Sequence, residues 1–425
     1  MKWLFIFLGL MVFAQFQIHA QEKTTLDWDI DSVFNEPPPE SPPEKPKTNT
    51  DKAAAATVNK LIKRQSFTFG ASYEFMTGIM PGWREPPWDS AEDHGYFLDR
   101  AVKLSSSLNM DAQIDNTLRV KSTVKFEIPN FCFTLGDFFF DYNYDDAVFF
   151  RGGKYAHSWG ISPNYNFTNL LARVPMGGSS GESYILKIDV PTGIGGFQAL
   201  ALTRANLMSS APLLEQEDFG YGGKYNLALR WADFDLGIFY QDGMALRTFL
   251  SIKTTIGKTE LYTEGLVATD VNEPSNTSGA ASLGFTRDFF TDKFNVNGEV
   301  FYNAEKDVYF YRPETNIRKD GTSPYIENLN LALNLRYKFG GKGDPRLLAQ
   351  ARYAPFENSA QLIPGFTLNP LPHIEFSAAV PMALGSKEGY YYKNTYIVDL
   401  DNKPIPFCVV LVVSLKGSIQ VAHVN

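Results

Sequence analysis

The sequence predicts an all-β chain: a transmembrane antiparallel up-and-down β-barrel of roughly 14–18 strands, preceded by a signal peptide and a proline-rich linker. Three observations carry this. One-sided alternation of apolar and polar residues persists over about 300 residues with no interleaved helical pattern, whereas a soluble sheet of that size would carry helices or split. The N-terminus reads as an export signal. Aromatic residues cluster, as in Phe138-Phe139-Phe140, Phe149-Phe150 and Tyr390-Tyr391-Tyr392, and such rings favour the membrane–water boundary.

Residues 1–20 form the expected signal peptide. Lys2 supplies the positive start, Trp3 to Phe13 the apolar stretch, and Ile18-His19-Ala20 a cleavage site. The alternative is an uncleaved anchor helix, for which the apolar stretch is short. Residues 21–64 follow as an acidic linker broken by Pro37, Pro38, Pro39, Pro42, Pro43 and Pro46. Prolines at this density favour an extended polyproline path. Within it, Asp51 caps a short possible helix through Ala53–Ala56 toward Leu61 and Ile62, either a plug at the barrel mouth or a tether.

The barrel is expected over 65–425. The stretch 328–339 shows its pattern best: Leu329, Leu331, Leu333, Leu335, Tyr337 and Phe339 alternate with Asn328, Asn330, Ala332, Asn334, Arg336 and Lys338. Successive strand side chains point to opposite faces, so one face is greasy and one wet. Lys103 to Gln113 and Arg119 to Glu127 repeat the pattern, as do the stretches around Lys224, Asp233 and Lys293. Several runs reach the ~9–11 residues that a tilted membrane strand needs, longer than the globular average of about five or six. The final strand is expected over Cys408 to Val421. Asp115-Asn116, Thr192-Gly193 and Ala232-Asp233 read as tight turns, and Met80–Gly95, Ser158–Asn169, Asn206–Asp218 and Lys306–Pro324 as long links. Ile161–Pro175 is either an outside loop or an inward constriction. The longest later apolar run, Phe407 to Val413, is too short for a spanning helix, so a membrane form requires a closed barrel.

Composition excludes several classes. With 44% hydrophobic and 20% charged residues the chain is not disordered as a whole. A net charge of -8 and the lack of a long basic run argue against nucleic acid. Two cysteines, Cys132 and Cys408, make no disulfide scaffold, and pairing or separate thiols both stay open. Catalysis finds little support. His157 beside Ser158 suggests an esterase only superficially, since neighbours on a strand point apart. Asp141, Asp145 and Asp146 lack the glycine and closing glutamate of a calcium loop and read as an acidic turn, and no Cys or His spacing suits zinc. No cofactor and no enzymatic activity are expected.

The functional residues are therefore expected on the wet wall: Arg119, Lys121, Lys125, Glu127, Arg151, Lys154, Asn297, Glu299, Arg336 and Lys338. Gly152-Gly153, between Arg151 and Lys154, would form a bulge that re-aims the strand. The basic members would bias a lumen toward anions, against Asp111, Asp233, Asp235 and the two glutamates.

Phe150-Arg151-Gly152-Gly153-Lys154, followed by Trp159-Gly160, is similar to the Arg-x-Gly-Lys…Trp-Gly strand and turn of several bacterial outer-membrane β-barrels of the porin or small-molecule channel kind. The texture also resembles uncharacterised barrels of spirochaetes, and the resemblance covers roughly 65–425. Barrels of this kind typically end in an aromatic residue, whereas here the chain ends Val421-Ala422-His423-Val424-Asn425. The resemblance implies a passive pore in the cell outer membrane. Its partners would be outer-membrane lipid, small-molecule solutes and the barrel-insertion machinery, with no nucleic acid and with homo-oligomers open. Three alternatives stand beside it: a hydrophobic-solute channel with Ala53–Ile62 as a hatch, a surface adhesin displaying Trp83, Trp88, Tyr309 and Tyr311, and an exported soluble β protein.

Overall fold

The computed structural model describes residues 66–89, 94–115, 117–128, 131–171, 182–203, 219–242, 244–275, 277–304, 328–341, 343–393 and 405–424. The expected leader, linker and short helix lie outside these residues, as do Tyr309 and Tyr311.

The chain winds up and down through β1 (Ser66–Trp83), β2 (Tyr96–Gln113), β3 (Leu118–Ile128), β4 (Cys132–Tyr144), β5 (Val148–Ala156), β6 (Glu182–Thr192) and β7 (Gly195–Thr203). It continues through β8 (Phe219–Ala228), β9 (Asp233–Gln241), β10 (Leu246–Ile256), β11 (Thr259–Thr269), β12 (Thr277–Phe289), β13 (Phe294–Asn303), β14 (Asn328–Lys338), β15 (Arg346–Ala354) and β16 (Ser359–Leu371). The next stave is split into β17 (Ile374–Ala379) and β18 (Met382–Gly385) around Pro381, whose ring nitrogen has no proton to donate to a ladder. The last is split into β19 (Phe407–Cys408) and β20 (Val410–Val424). β17 pairs with β20, and β20 pairs with β1 from Ser66↔Val424 to Ile79↔Leu411. The result is a closed antiparallel barrel of 18 staves, the upper end of the expected range. Closure leaves no unpaired sheet edge, the condition for strands to cross hydrocarbon.

The greasy face points outward. On β14, Leu331 and Leu333 are 36% and 40% exposed, while Asn330 and Ala332, on the other face, are 0% and 6%. The same holds for Leu98, Val102, Leu108 and Met110 on β2 and for Leu236 and Ile238 on β9. A soluble sheet buries such residues, so an outer wall of this kind calls for lipid around it. Aromatic rings mark both rims. Trp83 packs against Tyr96 and Phe407 at 5.4 and 5.1 Å, and Trp88 against Phe407 at 5.1 Å. At the opposite rim stand Trp231–Phe234 and Tyr337–Phe339 at 5.4 and 4.9 Å. Paired girdles of this sort fit the two headgroup layers of a bilayer.

The two rims differ. One carries the short connections, among them 145–147, 193–194 and 257–258, and both described chain ends. In the β2–β3 turn, Asp115 accepts from the Thr117 hydroxyl at 2.6 Å and from the Thr117 and Leu118 amides at 2.7 and 2.8 Å. These bonds, the Thr117 hydroxyl foremost, hold the Asp115 carboxyl below the usual range. The other rim carries the long links, including 84–95, 157–181 and 386–406.

Two local expectations are corrected. Gly152-Gly153 makes no bulge: β5 runs in unbroken register against both β4 and β6. Gly152 instead makes room for the Phe140 ring, which a Cβ there would meet at 2.7 Å. The irregularity falls between Ser122 and Val124, where β3 meets β4. Without a bulge, strict alternation puts Lys154 on the outer face with Phe138 and Tyr184, opposite to Arg151, and its ammonium donates to the Leu135 carbonyl. Cys408 is a free thiol buried among Met76, Met80, Val410 and Val412.

Candidate functional site

The chain leaves β5 at Ala156 and turns into the barrel. His157 and Ser158 thus lie past the strand end, not on it. His157 meets the Gln198 amide oxygen of β7 at 3.1 Å, and burial pushes its imidazole down to about 4, so it is neutral at pH 7. The Trp159 indole N–H donates to the same oxygen at 2.7 Å, and its ring packs against Phe239 of β9 and Phe249 of β10. Space for that ring comes from the wall: a Cβ on Gly222 would meet it at 2.7 Å.

Beyond Trp159, two glutamates on the inner wall hold the backbone. Glu264 of β11 accepts from the Ile161 amide at 2.7 Å, the Ser162 amide at 3.2 Å, the Thr168 hydroxyl at 2.7 Å and the Ser251 hydroxyl at 2.8 Å. Glu299 of β13 accepts from the Ser162 hydroxyl at 2.5 Å, the Asn164 amide at 3.2 Å, the Asn164 side chain at 3.0 Å and the Tyr262 hydroxyl at 3.2 Å. Asn164 also donates to Asn297, and Asn334 of β14 donates to Asn164. Both carboxyl groups are nearly fully buried, and each accepts four hydrogen bonds, so neither is left unsatisfied in the dry site. Tyr165 stacks on Phe301 at 4.8 Å, and Phe167, Leu170 and Leu171 close the cluster.

The segment 157–171 therefore follows the inner wall from β5 to β14, about half the circumference of the 18 staves. Of the two courses the sequence left open for Ile161–Pro175, residues 161–171 take the inward one. Asn297 and Glu299, expected on the wetted wall, lie beneath this segment as its anchors. Glu264 escaped sequence reading. Its place on the polar face of "TELYTEGLVAT" is legible, but nothing there separates a wetted glutamate from one that receives a loop. The tyrosines 390–392 likewise read as interfacial, yet Tyr391 and Tyr392 are buried inside.

The uncovered part of the inner wall is charged and wet. Arg119 forks onto Asp111, with Nε at 2.9 Å, and Arg151 onto Asp141 at 2.5 and 3.0 Å. Lys121 meets Asp137 at 3.4 Å, Lys103 meets Glu127 at 3.7 Å, and Lys416 joins Glu74 and Glu375 at 3.0 and 3.2 Å. Asp141 thus sits within β4 on the inner face and takes no part in an acidic turn. Lys125 shares the face of Lys121 and Glu127 on β3. The expected basic cluster is largely neutralised by acids on neighbouring strands. On β14 and β15 stand Arg336, Lys338, Arg346 and Arg352 with no acid on either strand, and Asp344 beside them is bound to Arg346.

No family profile and no curated protein sequence matches the chain. Solved structures do. The Pseudomonas aeruginosa protein OccK5 (OpdH) aligns over 84% of this chain and 98% of its own, with a TM-score of 0.51 and 9% identity. OpdQ of the same organism aligns over the same shares, with a TM-score of 0.50 and 8% identity. At such identities the likeness shows a common large-barrel fold and no more.

Proposed function

We propose that the protein is a passive pore for small hydrophilic solutes in a bacterial outer membrane. One observation carries this. The charged side chains on the free half of the inner wall are a third to a half exposed, as in Arg119 at 47%, Arg151 at 35% and Lys416 at 49%. Water therefore reaches the interior of a cylinder whose outside is apolar. The inward segment narrows this path from one side and is held too firmly, by two buried carboxylates, to be a fluctuating surface loop. Solutes cross beside it, along paired charges that favour neither sign strongly. Trp83 and Trp88 belong to a rim girdle and serve anchoring rather than adhesion.

The protein refolded into detergent, checked by heat-modifiable gel mobility, should produce discrete ohmic steps in planar bilayers. A folded barrel that never conducts overturns the reading. Charge pairing predicts the selectivity. Asp111→Asn with Asp141→Asn leaves Arg119 and Arg151 without their acids. The anion-to-cation permeability ratio, read from reversal potentials in a salt gradient, should then rise by up to about fivefold, the weight of one unit charge acting at ~4 Å through water.

A further inference from the structure

We infer that residues 386–393, which follow β18, form a second, fixed wall of the narrowing, and that Tyr391 is the positioning residue that holds the 157–171 segment at Tyr165. This rests on the pore reading. The one-turn helix Tyr390–Lys393 follows the β17/β18 stave, a third of the way round the cylinder from β5. Its Tyr391 hydroxyl lies 3.3 Å from that of Tyr165, and both rings are buried, at 2% and 1% exposure. Two inward pieces thus meet at this pair of hydroxyls.

The Tyr391 side of this joint is braced from three directions. The Tyr391 amide donates to the Ser359 hydroxyl at 2.9 Å, the Tyr390 amide donates to Glu357, and the Ser386 amide to the Asn358 carbonyl at 2.8 Å. At Gly389 the link presses on β16 so closely that a Cβ would meet Ser359 Cβ at 2.3 Å. Lys387 reaches across the rim to Glu85 at 2.5 Å and Asp89 at 3.0 Å in the β1–β2 link, and these acids push its ammonium pKa up. Tyr165 of the segment stacks on Phe301 on its wall side. Its hydroxyl is met on the other side by that of Tyr391. The clasp keeps the narrowing in one position, so its loss should appear as flicker of the open channel.

Tyr165→Phe, Tyr391→Phe and the double variant test this, since each keeps the ring and removes a hydroxyl. Each single change should raise the rate of brief closures in single-channel records by about two- to tenfold, the weight of one neutral hydrogen bond. The double variant should match the singles, because both remove one shared bond. Unchanged closure rates, or additive effects, overturn the proposal. Thermolysin nicking near Phe167–Leu171 of the detergent-folded barrel gives the same test without conductance, with faster cleavage expected in all three variants by the same factor. A wild-type barrel that is silent in bilayers would thus sink the pore reading, while the nicking rates still decide the role of Tyr391.

Discussion

Glu264→Ala is expected to detach the inward segment and to widen the channel while leaving the barrel standing. The side chain takes two backbone amides of the segment, those of Ile161 and Ser162, together with the Thr168 and Ser251 hydroxyls. Truncation leaves these donors in a dry site. Each unsatisfied buried donor costs about 1–3 kcal/mol, so the segment loses its preference for the wall. Glu299→Ala should act in the same direction through Asn164 and Ser162. The two sites share Ser162, which gives its amide to one carboxylate and its hydroxyl to the other, so their effects should fall short of additive. The strand ladder is untouched by either change. Larger and noisier single-channel conductance is expected, with unchanged heat-modifiable mobility. Conductance equal to wild type in the double variant would mean that the segment does not narrow the path. Glu264→Gln should fall between wild type and alanine, because the amide keeps one acceptor and turns the other position into a donor facing N–H groups.

The same segment explains what could be read from the sequence and what could not. Alternation is clean on β3 and β14, where the inner face meets water or polar partners, and those strands were legible. It fades on β7, β9 and β10, where Leu200, Leu202, Phe239 and Phe249 point inward to meet the segment. A strand covered on both faces reads as a plain apolar run, the signature that periodicity cannot place. Strand glycines mislead in a related way. Gly222 and Gly237 are vacancies for Trp159 and Phe249, as Gly152 is for Phe140, and a sequence shows a vacancy and a bulge as the same letter. Fold class, rim asymmetry and the wet wall follow from a period of two. The anchors Glu264 and Glu299 and the Tyr165–Tyr391 joint depend on contacts with the inward segment that span 96 to 226 positions, for which no local pattern exists.

Leu333→Arg should cost about 2–4 kcal/mol of folding free energy in vesicles, because the side chain stands mid-strand on the outer face and would place a charge near the bilayer centre. That result alone does not separate lipid from a protein core, since a packed core rejects arginine too. Leu333→Phe makes the separation. Acyl chains have no fixed shape, so a larger apolar side chain is accommodated and its added surface is favourable. A close-packed interior answers the same enlargement with roughly 1–3 kcal/mol of strain. The neighbour supplies the internal control. Ala332 is buried on the inner face within the cluster formed by Phe301 and the inward segment, so Ala332→Phe should be destabilising where Leu333→Phe is neutral or better. Urea titrations of folding into vesicles read all three. Two adjacent residues then respond oppositely to one enlargement, because a single peptide unit separates a fluid solvent from a solid one. If Leu333→Phe destabilises as much as Ala332→Phe, the outer face is covered by protein, and the greasy side of β14 belongs to an interface that lipid does not fill.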